Sequence, residues 1–408
     1  MSPERATTLL HAGDPSTRDP RGVWGRAFRP FFLLAAIHTA LAVPWWVFAW
    51  VGVAPASGWL VPSWWHGHEM MFGFVAAAIA GFLLTASPVW SGGPALRGAS
   101  LAALVALWLA GRVAFAAAAL LPVSVVAAID VAFLPAVAVV VVRTLWGSGQ
   151  VRNHAVVGIV VALALANTAM HAEALHVASG IAGRALRFAV DAVILLILVI
   201  AGRITPAFTR NAFRQRGIER PVRSRPWLDG LAIASACALA GVSAALGRSV
   251  ATGLLAGAAG VAAAARMAGW QSWHTRRDPL LWSLHAASAW LVVGLLLVAA
   301  SDLGAPVPSS AGLHALTAGA MGAAILAVTT RVGLGHTGRE LVLPPGVVWC
   351  HPLVYLAALA RIGATFGSAD GQRVLLATSA LAWAAAFGLF ALRYAPILMR
   401  PRPDGRPG

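Results

Sequence analysis

The sequence contains no lysine, only two cysteines and few charged residues of either sign. Charged residues make up 11% of its 408 residues, against about 25% in typical soluble domains. With Cys237 and Cys350 as its only thiols, it can form neither a disulfide framework nor an iron–sulfur or four-thiolate zinc site. It also lacks a Walker motif and a dinucleotide-binding glycine motif in the required context. These absences argue against a disulfide scaffold, a thiolate-bound metal centre and a nucleotide-binding domain of either kind.

Apolar residues are abundant instead, at 59% of the chain with a mean hydropathy of +0.77. A membrane span needs about 20 apolar residues, and we predict an all-α, polytopic membrane bundle of about twelve transmembrane helices. The predicted spans are 31–52, 68–88, 99–120, 122–145, 154–178, 185–205, 228–247, 249–269, 280–300, 312–333, 347–366 and 372–395. Residues 1–30 are predicted as a cytoplasmic tail, 31–395 as the transmembrane domain with a cytoplasmic loop at 206–227, and 396–408 as a cytoplasmic C-terminal tail.

Arginine placement predicts the orientation of this bundle. All 30 basic residues are arginine and the net charge is +16. In a multi-pass protein such an excess indicates cytoplasmic loops beside anionic lipid, and not nucleic acid as a partner. With both termini in the cytoplasm (N-in/C-in), the arginines left on the outer side are Arg112, Arg184, Arg187, Arg248, Arg361 and Arg373.

Two parts of the chain resemble each other. His68, Gly73 and Ile79 recur at identical spacing as His314, Gly319 and Ile325. The segment LWLAGRVAF around Arg112 also resembles LAALARIGATF around Arg361. Three four-helix repeats would explain these matches, as internal repeats do in many transporters. Chance similarity among helices rich in alanine and glycine is the alternative.

The stretch from Trp64 to Trp90 begins with His66, His68 and Glu69 and continues as a long apolar run. Ionisable groups at membrane depth are costly and usually functional, although a histidine at the interface can simply be solvated. Side chains two residues apart on a regular helix point about 200° from each other. His66 and His68 could therefore reach one metal only if this segment is not helical, which Gly67 would allow.

Other histidines fall into two layers of the predicted bundle. Imidazole binds iron and copper well, so the layers favour metal or haem binding. We predict one site near the outer face and one nearer the inner face, with Glu69 and His68 as catalytic residues. The outer site would use His66, His68, His171 and His314, and the inner site would use His285 and His336. His38 and His351 lie at the level of the inner site. Arg331 and Arg339 could bind haem propionates or a phosphate there.

Some polar residues have a structural interpretation. Arg112 and Asp130 flank the Leu121–Pro122 turn symmetrically, so that antiparallel helices place them at one depth as an ion pair. Arg187 and Asp191 are spaced for a helical pair. Glu173 could bond His176 in the same way. Cys350, beside His351, could be a soft copper ligand or a packed core residue.

Long motifs resemble those of the NnrS family of bacterial membrane proteins. The first, WHGHEMMFGFVAAAIAGFLLTASPVWSG, begins at Trp65, and the last, HALTAGAMGAAILAVTTRVGLGHTGR, spans His314–Arg339. Four shorter segments also match the family in chain order: RPFFLLAA, LALANTAMH, GRITPAFTRNA and PLLWSLHAASAW. The resemblance therefore covers nearly the whole chain.

The resemblance implies a twelve-span protein of the bacterial inner membrane that contains b-type haem and copper. It also implies a role in nitric oxide metabolism and resistance to nitrosative stress. The positions that match the motifs are His66, His68, Glu69, His171, His285, His314 and His336. His38, His176 and His351 lie outside them.

Three functions stay open at this point. A haem beside a copper could reduce nitric oxide to nitrous oxide, with quinol or another electron donor as partner. A non-catalytic protein could bind nitric oxide or protect the metals from it. A transporter of metal or small molecules would fit twelve spans with repeats. The first of these functions is that of an enzyme and the other two are not. All three place the protein in a lipid bilayer.

Overall fold

The computed structural model describes residues 22–53, 62–146 and 151–405, with side chains described from residue 155 in the last of these ranges. Within these ranges the chain is helical and contains no strand. Twelve apolar helices account for nearly all of it. They are α1 (Phe28–Trp50), α2 (Pro62–Ser91), α3 (Gly98–Ala116), α4 (Val123–Leu145), α5 (Val151–Ala174), α6 (Ala182–Gln215), α7 (Pro226–Leu246), α8 (Val250–Ala268), α9 (Pro279–Asp302), α10 (Ser309–His336), α11 (Val347–Gly363) and α12 (Ala369–Met399).

Eleven of these described helices are long and apolar enough to cross a membrane, and α11 is shorter. The prediction of a polytopic helical membrane bundle is therefore confirmed. The predicted division at Pro122 is also confirmed, because α3 ends at Ala116 and α4 begins directly after this proline. Proline lacks a backbone N–H and is tolerated at the start of a helix. The tail segments 1–21 and 406–408 lie outside the described residues.

Helix ends differ from the prediction where helices continue beyond their apolar part. α6 runs to Gln215, so the predicted loop at 206–227 is reduced to the connection between Gln215 and Pro226. α1 begins at Phe28 and α12 ends at Met399, each a few residues outside the predicted domain limits. Hydropathy measures the segment that lipid can surround, whereas backbone hydrogen bonds can extend a helix into water.

The two ends of the bundle meet. Arg29, at the start of α1, donates from Nη1 to the carbonyl oxygens of Leu398 (2.9 Å) and Arg400 (2.7 Å), at the end of α12. The start of α1 and the end of α12 therefore lie on the same side of the bundle, as an even number of crossings requires. Which side faces the cytoplasm stays a prediction.

Two helices contain a π-helical segment at matching positions. In α2 it covers Glu69–Val75 and starts directly after His68; in α10 it covers Ala315–Met321 and starts directly after His314. A π-helix is rare and is frequently found at functional sites. The repeated spacing found in the sequence thus corresponds to a repeated backbone irregularity, which supports a relation between the first and third four-helix units.

Glycines permit close packing where α9 meets α10. A Cβ atom added to Gly312 would lie 2.8 Å from the backbone nitrogen of Val298. One added to Gly294 would lie 2.5 Å from Leu316 Cδ2. Such approaches are typical of membrane helices, which pack through small residues.

We expect Gly312→Ala to destabilise the bundle by about 1–3 kcal/mol, since the backbone of Val298 cannot yield to the new methyl group as a side-chain end would. Gly241→Ala in α7 is the control, because a Cβ there meets nothing within 4 Å. Thermal unfolding of both variants in detergent would measure the difference. Equal midpoints for the two variants would contradict the packing described for α10.

Candidate metal centre and ligand cavity

α2 presents two histidines on opposite faces. Residues Pro62–His68 form regular α-helix, in which a separation of two residues corresponds to about 200° of rotation. The His66 ring stacks on Trp46 with centroids 4.3 Å apart. The His68 ring lies 4.3 Å from Phe115 and 5.3 Å from His171. The structure therefore divides the four histidines predicted for one outer site between two sites, His68 with His171 and His66 with His314.

The first site, which we call the polar cluster, is a connected set of charged and polar side chains from α1 to α5. Its members are His38, His68, Glu69, Arg112, Asp130, Asn167 and His171. His68 is 1% exposed and Glu69 2%. Both ring nitrogens of His68 face carboxylates, with Nδ1 3.1 Å from Glu69 Oε1 and Nε2 3.1 Å from Asp130 Oδ2.

Asp130 is the centre of this cluster. Its Oδ2 accepts hydrogen bonds from His171 Nε2 at 3.0 Å and from Asn167 Nδ2 at 2.8 Å, while Oδ1 pairs with Arg112. The predicted Arg112–Asp130 ion pair is thus confirmed. The same guanidinium also pairs with Glu69, a contact that the sequence did not indicate.

His38 belongs to this cluster and not to an inner layer, where the sequence had placed it. Its Nε2 lies 3.3 Å from Glu69 Oε2. The approach depends on Gly73 in the π-helix, because a Cβ there would lie 2.5 Å from His38 Nε2. The prediction failed because His38 lies midway along α1, at the depth of Glu69.

The charges of the cluster balance only if a further positive charge is present. Glu69 and Asp130 supply two negative charges and Arg112 one positive charge. Because each ring nitrogen of His68 faces a carboxylate, both must carry a proton, and a doubly protonated His68 completes the balance. A metal cation can supply the same charge. Ligand atoms of His68, Asp130 and His171 all lie within 4.8 Å of one another, close enough for one ion.

The second site is a cavity between α2, α10 and their neighbours, which we call the α2–α10 cavity. Its volume is about 570 Å³, and apolar and aromatic side chains such as Trp46, Met321 and Trp383 form most of its wall. His66 and His314 both line it. His314 Nδ1 donates to the carbonyl oxygen of Ser310 at 2.7 Å, which leaves the lone pair on Nε2. The buried Nδ1 of His66 has no hydrogen-bond partner within the described part of the chain.

Arginines that the sequence places on the outer side gather around this cavity. Arg184, Arg187, Arg248 and Arg361 all line it. Arg187 pairs with Asp191, as predicted, at 3.3 Å, and Arg248 pairs with Asp302 at 2.7 Å.

Residues predicted for an inner site are placed apart from both sites. His285 is 4% exposed, with Nε2 3.0 Å from Thr209 Oγ1 and Nδ1 2.8 Å from Ser272 Oγ. Its two ring nitrogens are therefore occupied by hydroxyl groups. The His336 ring is exposed and lies 5.7 Å from that of Phe28.

The two arginines predicted beside this inner site make local contacts. The Arg331 guanidinium lies 4.2 Å from the Phe208 ring centroid. Arg339 donates to the carbonyl oxygen of Thr337 at 3.3 Å, and burial, together with nearby Arg400, lowers the pKa of the Arg339 side chain. An inner haem or metal site stays a prediction.

The remaining candidates have mixed outcomes. The Glu173 carboxylate does not bond the His176 ring; its Oε2 accepts from the backbone nitrogens of Ile181 (2.7 Å) and Ala182 (2.5 Å), and so caps the start of α6. Helix α5 ends before His176, whose φ of 58° lies in the left-handed region. His351 is fully buried against Trp282, and neither of its ring nitrogens has a partner among the described residues.

We expect Arg112→Leu to destabilise the protein by about 3–5 kcal/mol, because it leaves two buried carboxylates without their shared cation. Arg216→Leu is the control: Arg216 also pairs with an aspartate, Asp278, but its side chain is 47% exposed, where an ion pair contributes about 0–1 kcal/mol. The fraction of folded protein after heating in detergent measures both. Similar losses in the two variants would contradict a buried, charge-balanced cluster.

Comparison with known proteins agrees with the motifs. No curated protein matches the chain at a significant level. The family model described as NnrS protein matches residues 22–402, nearly the whole chain, and membership of that family supports a membrane protein related to nitric oxide. On this match, together with the multi-pass helical fold, the chain belongs to the NnrS family.

Proposed function

We propose that this protein binds haem and copper in the bacterial inner membrane and acts on nitric oxide, reducing it to nitrous oxide with electrons from quinol or another donor. The observation that carries the proposal is the presence of two buried sites of different chemistry in one bundle. One offers a compact set of imidazole and carboxylate ligands. The other is a large apolar cavity with two histidines.

The polar cluster fits copper. His68, His171 and Asp130 offer two imidazole nitrogens and one carboxylate oxygen within 4.8 Å of one another, and copper accepts such nitrogen and oxygen donors. Arg112 and Asn167 hold the carboxylate of Asp130 in place. Partners that orient ligands in this way are a regular feature of metal sites.

The α2–α10 cavity fits haem. Its volume of about 570 Å³ lies within the range of roughly 300–1,000 Å³ that is usual for pockets of cofactors and similar ligands. The hydrogen bond from His314 Nδ1 to Ser310 fixes the tautomer that a metal ligand requires. His314, and His66 with its unpartnered Nδ1, are the residues that would hold the haem iron.

Bound haem and copper would supply metal ions that bind nitric oxide and carry electrons. Two molecules of nitric oxide, two electrons and two protons yield one nitrous oxide and one water. The chain's own contribution is a line of proton-carrying groups in the polar cluster. His68 Nδ1 faces Glu69 Oε1, so a doubly protonated His68 can release its Nδ1 proton to Glu69, whose Oε2 lies 3.3 Å from His38 Nε2. Nitric oxide is apolar and enters through the bilayer.

Non-catalytic capture of nitric oxide is the second candidate. It is favoured by the placement of the two sites on opposite faces of one helix, since each could bind a single molecule independently. Capture would protect the cell in proportion to the amount of protein present, whereas reduction would continue as long as electrons were supplied.

We expect single histidine substitutions to remove the two cofactors separately. His68→Ala and His171→Ala should lose copper and keep haem, because both rings belong to the polar cluster. His314→Ala should lose haem and keep copper. Copper and haem per purified chain would be quantified in each case, with His274→Ala, which lies in the α8–α9 connection, as the control. Normal copper content in His68→Ala would remove the copper assignment.

Nitric oxide consumption separates the two candidate functions. Protein purified anaerobically in detergent would be given nitric oxide and a quinol, and both consumption and nitrous oxide formation would be followed. We expect sustained consumption, with about one nitrous oxide formed per two nitric oxide molecules consumed, and a marked loss of rate in Glu69→Gln. Uptake that stops at one or two molecules per chain would support capture and overturn reduction.

A further inference from the structure

Arg361 is a largely buried cation without a counter-ion. It lies on α11, lines the α2–α10 cavity, and its guanidinium lies 5.9 Å from the Trp46 ring centroid. Its buried Nε has no hydrogen-bond partner, and no carboxylate among the described residues lies within ion-pairing distance. Arg187 and Arg248, at the same cavity, each have an aspartate. An uncompensated charge in such surroundings is costly.

The related position in the first four-helix unit shows what Arg361 lacks. α2 and α10 carry matching π-helical segments, and each is followed by a helix that contains an arginine, Arg112 in α3 and Arg361 in α11. The first π-helical residue is Glu69 in α2, and this glutamate pairs with Arg112. The first π-helical residue of α10 is Ala315. The third unit therefore keeps the arginine and lacks the carboxylate.

We propose that the ligand of the α2–α10 cavity carries a carboxylate group that pairs with Arg361 and takes the place that Glu69 holds beside Arg112. A guanidinium binds carboxylates through two parallel hydrogen bonds, and the apolar wall requires that the rest of the ligand be apolar. The inference deepens and rests on the proposed function: with haem in the cavity, the carboxylate is a propionate. A fatty acid from the bilayer would offer the same chemistry.

The test compares ligands with and without the carboxylate. Full-length protein from haem-limited cells, purified in detergent, is titrated with haemin and with haemin dimethyl ester, and binding is followed by the absorption spectrum. Palmitate is titrated in parallel. We expect wild-type protein to bind haemin about tenfold or more tightly than the ester, as is typical for one charge-assisted hydrogen-bonded pair.

Substitutions test whether Arg361 causes this preference for haemin over its dimethyl ester. Arg361→Gln should bind haemin and the ester equally. Arg361→Lys should keep part of the preference, because lysine keeps the positive charge but cannot form the two parallel hydrogen bonds of a guanidinium. Ala315→Glu, which introduces the carboxylate found in α2, should also reduce the preference. Arg266→Gln is the matched control: Arg266 is buried, pairs with Asp229 at 2.7 Å and lies outside the cavity. It should keep the wild-type preference.

The outcomes separate this inference from the proposed function. If wild-type protein binds haemin and its ester equally well, or if Arg361→Gln keeps the preference, the carboxylate pairing is overturned while the haem site stands. If wild-type protein binds neither haem compound but binds palmitate in a manner that Arg361→Gln abolishes, the pairing stands and the haem assignment falls. Binding of none of the three ligands overturns both.

Discussion

The compensation of buried charge at membrane depth is the constraint on which this structure depends. Glu69, Asp130 and Arg112 would each be costly alone in an apolar bundle. Together, and with His68 between the carboxylates, they form a neutral unit. Their contacts cross from α1 to α5, so the unit also fixes how these helices pack. The same compensation holds the imidazoles and carboxylate of the candidate copper site together. Stability and ligand geometry therefore have one common origin.

Most of the fold could be predicted because the bilayer imposes one simple rule. Apolar segments of sufficient length must be helices, and the turn at Pro122 separated α3 from α4 where expected. Symmetry about that turn sufficed to pair Arg112 with Asp130. The π-helical segments could not be predicted in this way, because the choice between α- and π-helical hydrogen bonds depends on packing against neighbouring helices. Their only trace in the sequence was the repeated spacing of His68 and Gly73 in His314 and Gly319.

Some residues of the two candidate sites could be singled out from the sequence, but their grouping could not. The sequence singled out His66, His68, His171 and His314. His66 and His314 line the α2–α10 cavity, and His68 and His171 belong to the polar cluster. It joined them because Gly67 allowed an irregular backbone, whereas the segment is helical and its two histidines diverge. The arginines of the outer side were used only to assign orientation. Five of these six, Arg112, Arg184, Arg187, Arg248 and Arg361, lie in the polar cluster or around the cavity. Arg112, Arg187 and Arg248 have carboxylate partners there.

His66 and His68 point to opposite sides of α2, so this helix lies between the two sites. A helix with its side chains is about 10–12 Å across, and this width separates the cavity from the polar cluster. Two nitric oxide molecules, one at each site, would be too far apart to join through their nitrogen atoms. Reduction would therefore require both nitric oxide molecules to occupy the same site, with electrons crossing α2 from the other site.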